Sequence, residues 1–283
     1  MTADTYCQEK GAPPGSSLHY ALLFAPADRR AALTALSAWR REVGSIVREC
    51  SDAGVAAVKL NWWRKELGRL FDGQPSHPVT QSLAEPVHTR SLPADYFHQV
   101  LEGVRMDLEY GSYPGFRELS VYCHSTGCAA AHLAVKIAGY REPETARFGH
   151  DLGMGLQLAS LLRNVRRDAA AGRVYIPEDE LRDAGLDRSA LLDHNADPEA
   201  LRQLLAQQAQ RARDFLKQAR ERLPAADVPA QRTGLILAAL QERLLDVMEE
   251  DGFPLLERRH HLTPLYKLWI AWRTGLRARR GRI

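Results

Sequence analysis

What this sequence is short of narrows its class before any motif is read. No uninterrupted apolar run approaches the roughly 18 residues that a membrane-spanning helix needs. The opening stretch from Met1 to Lys10 is polar and acidic rather than basic and then apolar, so neither insertion nor export is expected. Long period-two alternations rich in Val, Ile and Thr are missing, which argues against sheets. Cysteine is scarce: Cys7, Cys50, Cys123 and Cys128 make neither a C-x-x-C pair nor a zinc-finger spacing, and 283 residues need no disulfide staples. A reduced, cytoplasmic setting is the expectation. Charge bias is absent as well. With 38 Lys+Arg against 35 Asp+Glu the net is +3, too balanced to imply nucleic acid or, by itself, an anionic membrane.

What is present is a helical spacing of apolar residues along nearly the whole chain, which predicts an all-α fold. With no shift in composition to divide it, residues 1–283 read as a single domain with a basic tail from 274 onward. Helices are expected from Ala27 through Val47, Val55 to Phe71, Pro93 to Tyr110, Phe116 to Ala138, Glu142 to Ala171, Asp197 to Leu223, Pro229 to Gly252 and Pro264 to Arg277. The segment Gly73 to Pro78 reads as a closing turn. Leu201 to Arg222, rich in Ala, Gln, Leu and Arg, reads as a solvated surface helix.

Two of these helices carry polar stripes on otherwise apolar cylinders. Residues three or four apart share a face, which groups Gly153, Gln157, Ser160, Asn164 and Asp168 on one helix. Ser37, Arg41, Gly44 or Ser45, and Arg48 group in the same way on another. Leu152, Leu156, Leu158, Leu161 and Leu162 flank the first stripe, so that helix reads as central. A buried polar stripe must meet partners, water or a ligand; the plainer alternative is an ordinary solvated face.

Several strings then stand in a telling order. They are Tyr6-Cys7-Gln8-Glu9-Lys10 with Gly15-Ser16-Ser17, Arg41-Glu42-Val43, Lys59-Leu60-Asn61-Trp62-Trp63-Arg64, and Met106-Asp107-Leu108. Tyr122-Cys123-His124, Gln157-Leu158 through Arg163, and Gly172-Arg173-Val174-Tyr175-Ile176-Pro177 complete the series. From about Tyr6 to Arg273 the chain resembles the squalene/phytoene synthases, above all their bacterial presqualene diphosphate synthase branch. That resemblance implies an isoprenoid-synthase-type helical bundle around a central cavity, and head-to-head joining of farnesyl or geranylgeranyl diphosphate. It also implies two facing Asp-rich segments, D-D-x-x-D and D-x-x-x-D or D-x-x-E-D, whose carboxylates hold Mg²⁺ against the leaving diphosphate.

At those positions the chain departs from the family. It reads Gly44-Ser45-Ile46-Val47-Arg48 and Asn164-Val165-Arg166-Arg167-Asp168, so Gly44, Ser45, Arg48 and Asn164 are no metal ligands and only Asp168 is retained. The two segments together carry a formal charge of +2, where the family pattern gives about −5. No cofactor is therefore expected, and Asp168 beside Arg167 reads equally as a helix-end ion pair. By resemblance, Ser17, Arg41, Arg48, Gln157, Ser160, Arg163, Asn164 and Asp168 face the substrate. Tyr122 matches an acid/base tyrosine, with buried packing as the alternative. Ser160 and Gln241 stand where the family has asparagine and tyrosine. The arginines, with one of Arg166 or Arg167, are expected to converge on the old metal region.

Three functions stay open: a degenerate member binding a prenyl diphosphate, a polyprenyl lipid or a protein partner without condensation, an active prenyltransferase using arginines for diphosphate, and a non-catalytic assembly or scaffold protein. An open cavity favours the first two and a solidly packed one the third. Elsewhere, His124 and His132 have no carboxylate or cysteine at metal spacing and read as packed histidines, while His260-His261 reads as a loop pair. The segment Leu265 to Trp272, flanked by Arg258, Arg259, Arg273, Arg277, Arg279, Arg280 and Arg282, suits peripheral contact with the inner face of a membrane. Packing of Trp269 and Trp272 on the bundle is the alternative.

Overall fold

The computed structural model describes residues 2–50, 52–191 and 196–283, and the elements among them are helices and turns. In chain order they are α1 (Ala3–Gly11), α2 (Ser17–Leu22), α3 (Ala27–Glu49), α4 (Ala53–Phe71), α5 (Pro78–Thr89), α6 (Ala94–Glu109) and α7 (Phe116–Cys123). A π-helical turn (His124–Cys128) leads into α8 (Ala129–Ala138). There follow α9 (Thr145–Arg163), α10 (Val165–Ala170), α11 (Glu178–Asp183), α12 (Pro198–Arg222), α13 (Arg232–Glu250) and α14 (Pro264–Arg279).

α3 starts behind Pro26, with Asp28 in its first turn and Arg48 in its last, the charge order that suits the helix dipole. Its Leu33, Leu36, Trp39, Val43 and Ile46 are buried with Leu60, Trp63, Leu67, Phe97 and Leu133 from α4, α6 and α8. A second cluster gathers Leu158, Leu162, Leu204, Leu205, Ile236, Leu240 and Leu244 from α9, α12 and α13. Each such side chain contributes about 1.5–3 kcal/mol on leaving water. α12 is therefore more than the solvated helix its composition suggests. It buries Leu204, Leu205, Ala209, Ala212, Leu216 and Ala219, and Leu216 comes so close to α9 that a Cβ on Gly155 would lie 2.6 Å from its Cγ.

Two expected helices are interrupted. The stretch 116–138 contains the π-helical turn, where Gly127 meets α9: a Cβ there would stand 2.6 Å from the Gly153 carbonyl oxygen. The wider turn lets the helix continue past that contact. The stretch 142–171 breaks at Asn164 (φ −103°, ψ 8°), whose Nδ2 donates to the Ser160 carbonyl at 2.7 Å in competition with its own amide. The start of α9 is held from a distance. Buried Asp227 accepts from the Arg141 and Glu142 amides at 2.8 and 3.0 Å and from the Thr145 hydroxyl at 2.6 Å.

Candidate functional site

A cavity of about 860 Å³ opens between α3 and α9. α3 supplies Ser37, Arg40, Arg41, Gly44, Ser45 and Arg48, and α9 with its continuation supplies Gln157, Ser160, Arg163, Asn164, Arg167 and Asp168. The two walls are joined where Arg40 Nη2 donates to Gln157 Oε1 at 2.8 Å. Ser17, Tyr122 and Gln241 also line the cavity. The predicted stripes thus face one another, with two adjustments. Gly153 packs deeper, against Cys128, in the wall of a smaller apolar pocket of about 140 Å³. Arg166 turns away to donate to the Glu257 carbonyl, leaving Arg167 as the one that faces inward.

The lining is strongly cationic, with nine Lys or Arg side chains against four Asp or Glu. Arg40 lines the cavity, and desolvation by the surrounding protein lowers its pKa, with Tyr122 opposing and Arg41 reinforcing the shift. Burial, then Arg259 and Arg167, pull Arg163 down to about 10. Burial and Arg48 pull Arg41 down in the same direction. Among the described residues no carboxylate lies within ion-pair distance of Arg41, Arg48, Arg163, Arg173 or Arg259. Two buried atoms in the lining, Arg163 Nε and Asn164 Oδ1, have no hydrogen-bond partner. Unpaired like charges and orphaned polar atoms persist where a ligand completes them.

Beside this patch lies a hydrogen-bonded aromatic group. Tyr122 donates to Asp107 Oδ2 at 3.0 Å and Tyr175 to Oδ1 at 2.6 Å. Burial raises the Asp107 carboxyl to about 6 against the pull of those two hydroxyls, and it raises Tyr122 further above the ordinary tyrosine range. Tyr122 is therefore both packed, in a cluster with Tyr113 and Tyr175, and committed to a carboxylate.

The donor set does not fit the family's magnesium ions. At the retained position, Asp168 Oδ1 accepts from Arg167 Nη2 at 2.8 Å and Nε at 3.0 Å, and burial holds its carboxyl above the ordinary range despite that partner. Asp107 has both oxygens engaged by tyrosines. Mg²⁺ takes one or two carboxylates beside its waters and substrate phosphates; Asp168 is tied to Arg167 through Oδ1, and the facing positions offer Gly44, Ser45 and Arg48 rather than carboxylates.

Sequence reasoning overlooked Arg40, Arg173, Arg259 and Lys267, all of which line the cavity. Arg40 carried a usable signal, since Arg40, Gly44 and Arg48 repeat every fourth residue on one helix face. Arg173 follows Gly172 (φ 77°), whose left-handed turn folds the chain back toward α10. Lys267 comes from α14, where it donates to the Gly15 carbonyl at 2.8 Å. On the same helix Trp269 and Trp272 are exposed rather than packed on the bundle. His124 has a cysteine one turn on, Cys128, and so is not the isolated packed histidine expected from sequence.

Comparison with known proteins agrees with the fold. The model of the squalene/phytoene synthase family matches residues 12–266. Phytoene synthase 3 of Zea mays chloroplasts is 28% identical, over 89% of this chain and 60% of its own length. The phytoene synthase of Mycobacterium tuberculosis is 29% identical over 90% of this chain and 84% of its own. The chain thus spans about 60% of the length of the Zea mays and Oncidium chloroplast enzymes. A dehydrosqualene synthase solved with a ligand superimposes with a TM-score of 0.85 at 18% identity, covering 97% of this chain and 95% of that one. Squalene synthase HpnC of Alicyclobacillus acidocaldarius gives 0.77 at 23% identity, covering 89% and 94%. With a family model matched over most of its length and the helical architecture shared, the chain belongs to the squalene/phytoene synthase family.

Proposed function

We propose that this protein binds a prenyl diphosphate, or a polyprenyl lipid with the same headgroup chemistry, and does not carry out magnesium-dependent head-to-head condensation. The observation that carries the reading is the cavity lining, in which Arg41, Arg48, Arg163, Arg173 and Arg259 stand without carboxylate partners among the described residues. Charge-assisted arginine contacts are roughly twice as strong as neutral ones and grip phosphate bidentately. Arg41, Arg48 and Arg163 would hold the diphosphate, Ser17, Gln157, Ser160 and Asn164 would complete its hydrogen bonds, and Asp168 would serve as an ion-pair partner for Arg167. An open cavity of about 860 Å³ supports a ligand-binding role over a solid scaffold, and its lining from both halves of the chain supports a single domain.

Calorimetric titration with inorganic diphosphate and farnesyl thiodiphosphate, with and without a metal chelator, tests this. Binding should survive chelation, and Arg48→Ala combined with Arg163→Ala should remove most of it. Asp168→Ala should leave it unchanged or stronger. Binding that requires Mg²⁺, or purified protein that turns over farnesyl diphosphate with Mg²⁺, would replace this reading with that of an active transferase.

A second reading, peripheral membrane contact, rests on α14. Leu265 is 81% exposed, and Leu268, Trp269 and Trp272 continue the same helix face in solvent, followed by Arg277, Arg279, Arg280 and Arg282. Among the described residues no helix is long and apolar enough to cross a membrane. Because Lys267 of this helix lines the cavity, contact there would bring the opening to the lipid surface. Co-sedimentation with anionic but not neutral vesicles, lost in Trp269→Ser with Trp272→Ser, is the expected outcome.

A further inference from the structure

His124, Cys128 and His150 line neither cavity, yet their ligand-type atoms all lie within 4.8 Å of one another. The convergence follows from the glycine contact between the π-helical turn and α9. A Cβ on Gly153 would stand 2.5 Å from Cys128 Cα, so the two backbones meet with no side chain between them. That approach sets the buried Cys128 thiol against α9, where Sγ donates to the His150 carbonyl at 3.2 Å. It also lets His124 meet His150, ring centroids 5.6 Å apart.

Two observations separate this group from a chance cluster. His150 Nδ1 lies 3.1 Å from Asp151 Oδ1, and buried Asp151 is itself held by Arg222 at 2.7 Å. A carboxylate behind an imidazole fixes its tautomer and leaves the Nε2 lone pair for a metal. Access is also built in, because Cys128 is fully buried while His124 and His150 are half-buried, so an ion can enter past the two imidazoles.

We propose that His124, Cys128 and His150 form a binding site for a borderline-soft divalent cation of the zinc type, with water as the fourth ligand. Two imidazoles and a thiolate suit Zn²⁺ and its spectroscopic substitute Co²⁺, and they disfavour Mg²⁺. The thiol proton now donated to the His150 carbonyl is released to solvent as the Cys128–metal bond forms. No redox change is involved. The bound ion would tie the helix bearing Tyr122 to the one bearing Gln157, Ser160 and Asn164, away from the diphosphate.

The test is titration of the reduced, tag-free, metal-stripped protein with Co²⁺ and then Zn²⁺. Wild type should take up one equivalent of Co²⁺ with a thiolate-to-cobalt charge-transfer band and tetrahedral visible absorption, both displaced by Zn²⁺. Competition with a chromophoric chelator should show Zn²⁺ affinity falling about tenfold or more in His124→Gln and in His150→Gln. Cys128→Ser should lose the charge-transfer band, and Asp168→Asn, in the cavity, should titrate as wild type. Folding of each variant is checked by circular dichroism, and the two histidine variants decide the matter if Cys128→Ser does not fold. A wild type with no stoichiometric cobalt spectrum, or histidine variants that bind like wild type, would overturn the proposal.

Discussion

Glu66 is wholly buried and its carboxylate gathers five hydrogen bonds, from the Ser76 amide and hydroxyl, the His77 amide, the Thr80 hydroxyl and Arg69. Burial pushes its pKa up, but these donors outweigh it and hold the carboxyl at about 2 against an ordinary 4.5. A depressed carboxyl stabilises the fold above its unfolded pKa and loses that contribution as pH falls through the folded one. Acid titration of wild type should therefore show roughly 3 kcal/mol lost between about pH 4.5 and 2, and Glu66→Gln should flatten that limb while lowering stability at neutral pH. A Glu66→Gln protein with an unchanged acid limb would show that the hub does not govern the pH dependence. At this scale legibility was uneven. Arg41, Arg48 and Arg163 were readable because spacing and family position agreed, whereas the five-donor grip on Glu66 joins a helix to a following loop that carries no periodic signal. Cys128 stands one turn after His124, so the reading that no cysteine lies at metal spacing from that histidine was wrong, and the third member, His150, comes from another helix.

Among the elements, the contact of the π-helical turn with α9 depends on Gly127 and Gly153. Gly127→Ala would place a methyl 2.6 Å from the Gly153 carbonyl oxygen and 2.7 Å from Gln157 Cβ, both on one helix. The expected loss is about 1–3 kcal/mol, as for overpacked cores, seen as a lower Tm. Gly73→Ala, in open space but at φ 76°, should cost about 1 kcal/mol through backbone strain alone. Equal losses in the two variants would mean that the helices separate more easily than the contact suggests. Long amphipathic helices such as α3, α4, α6 and α13 were legible to within a few residues, since burial enforces their period. α5 was not, because Pro78, Pro86 and the preceding turn residues read as loop; Pro78 occupies the first turn, where a missing amide is harmless. α1, α2 and α11 are too short for periodicity to register. The break at the π-helical turn arises from a partner distant in sequence, which no local window contains, whereas the one at Asn164 involves Ser160 only one turn before.

For the molecule as a whole, the unpaired arginines set ligand affinity against stability. Without a ligand, Arg41, Arg48, Arg163 and Arg259 repel one another in a partly desolvated space. Arg48→Gln with Arg163→Gln should therefore melt higher than wild type in low-salt, chelator-containing buffer, by about 1 kcal/mol, while losing diphosphate affinity. A double variant that melts lower would make those arginines structural. Added salt should raise the wild-type Tm and weaken its ligand binding, since both follow from charges screened over roughly 8 Å. All-helical architecture and family were readable from the chain. The size of the cavity was not, because volume is left by side chains that fail to meet across it. The placement of the tryptophans has an optical consequence. Trp39 and Trp63 are buried, Trp62, Trp269 and Trp272 are 40%, 46% and 53% exposed, and none lines the cavity. Intrinsic emission is thus nearly blind to cavity occupancy and sensitive to events on the outer face of α14, so a blue shift on adding vesicles registers lipid contact separately from ligand entry.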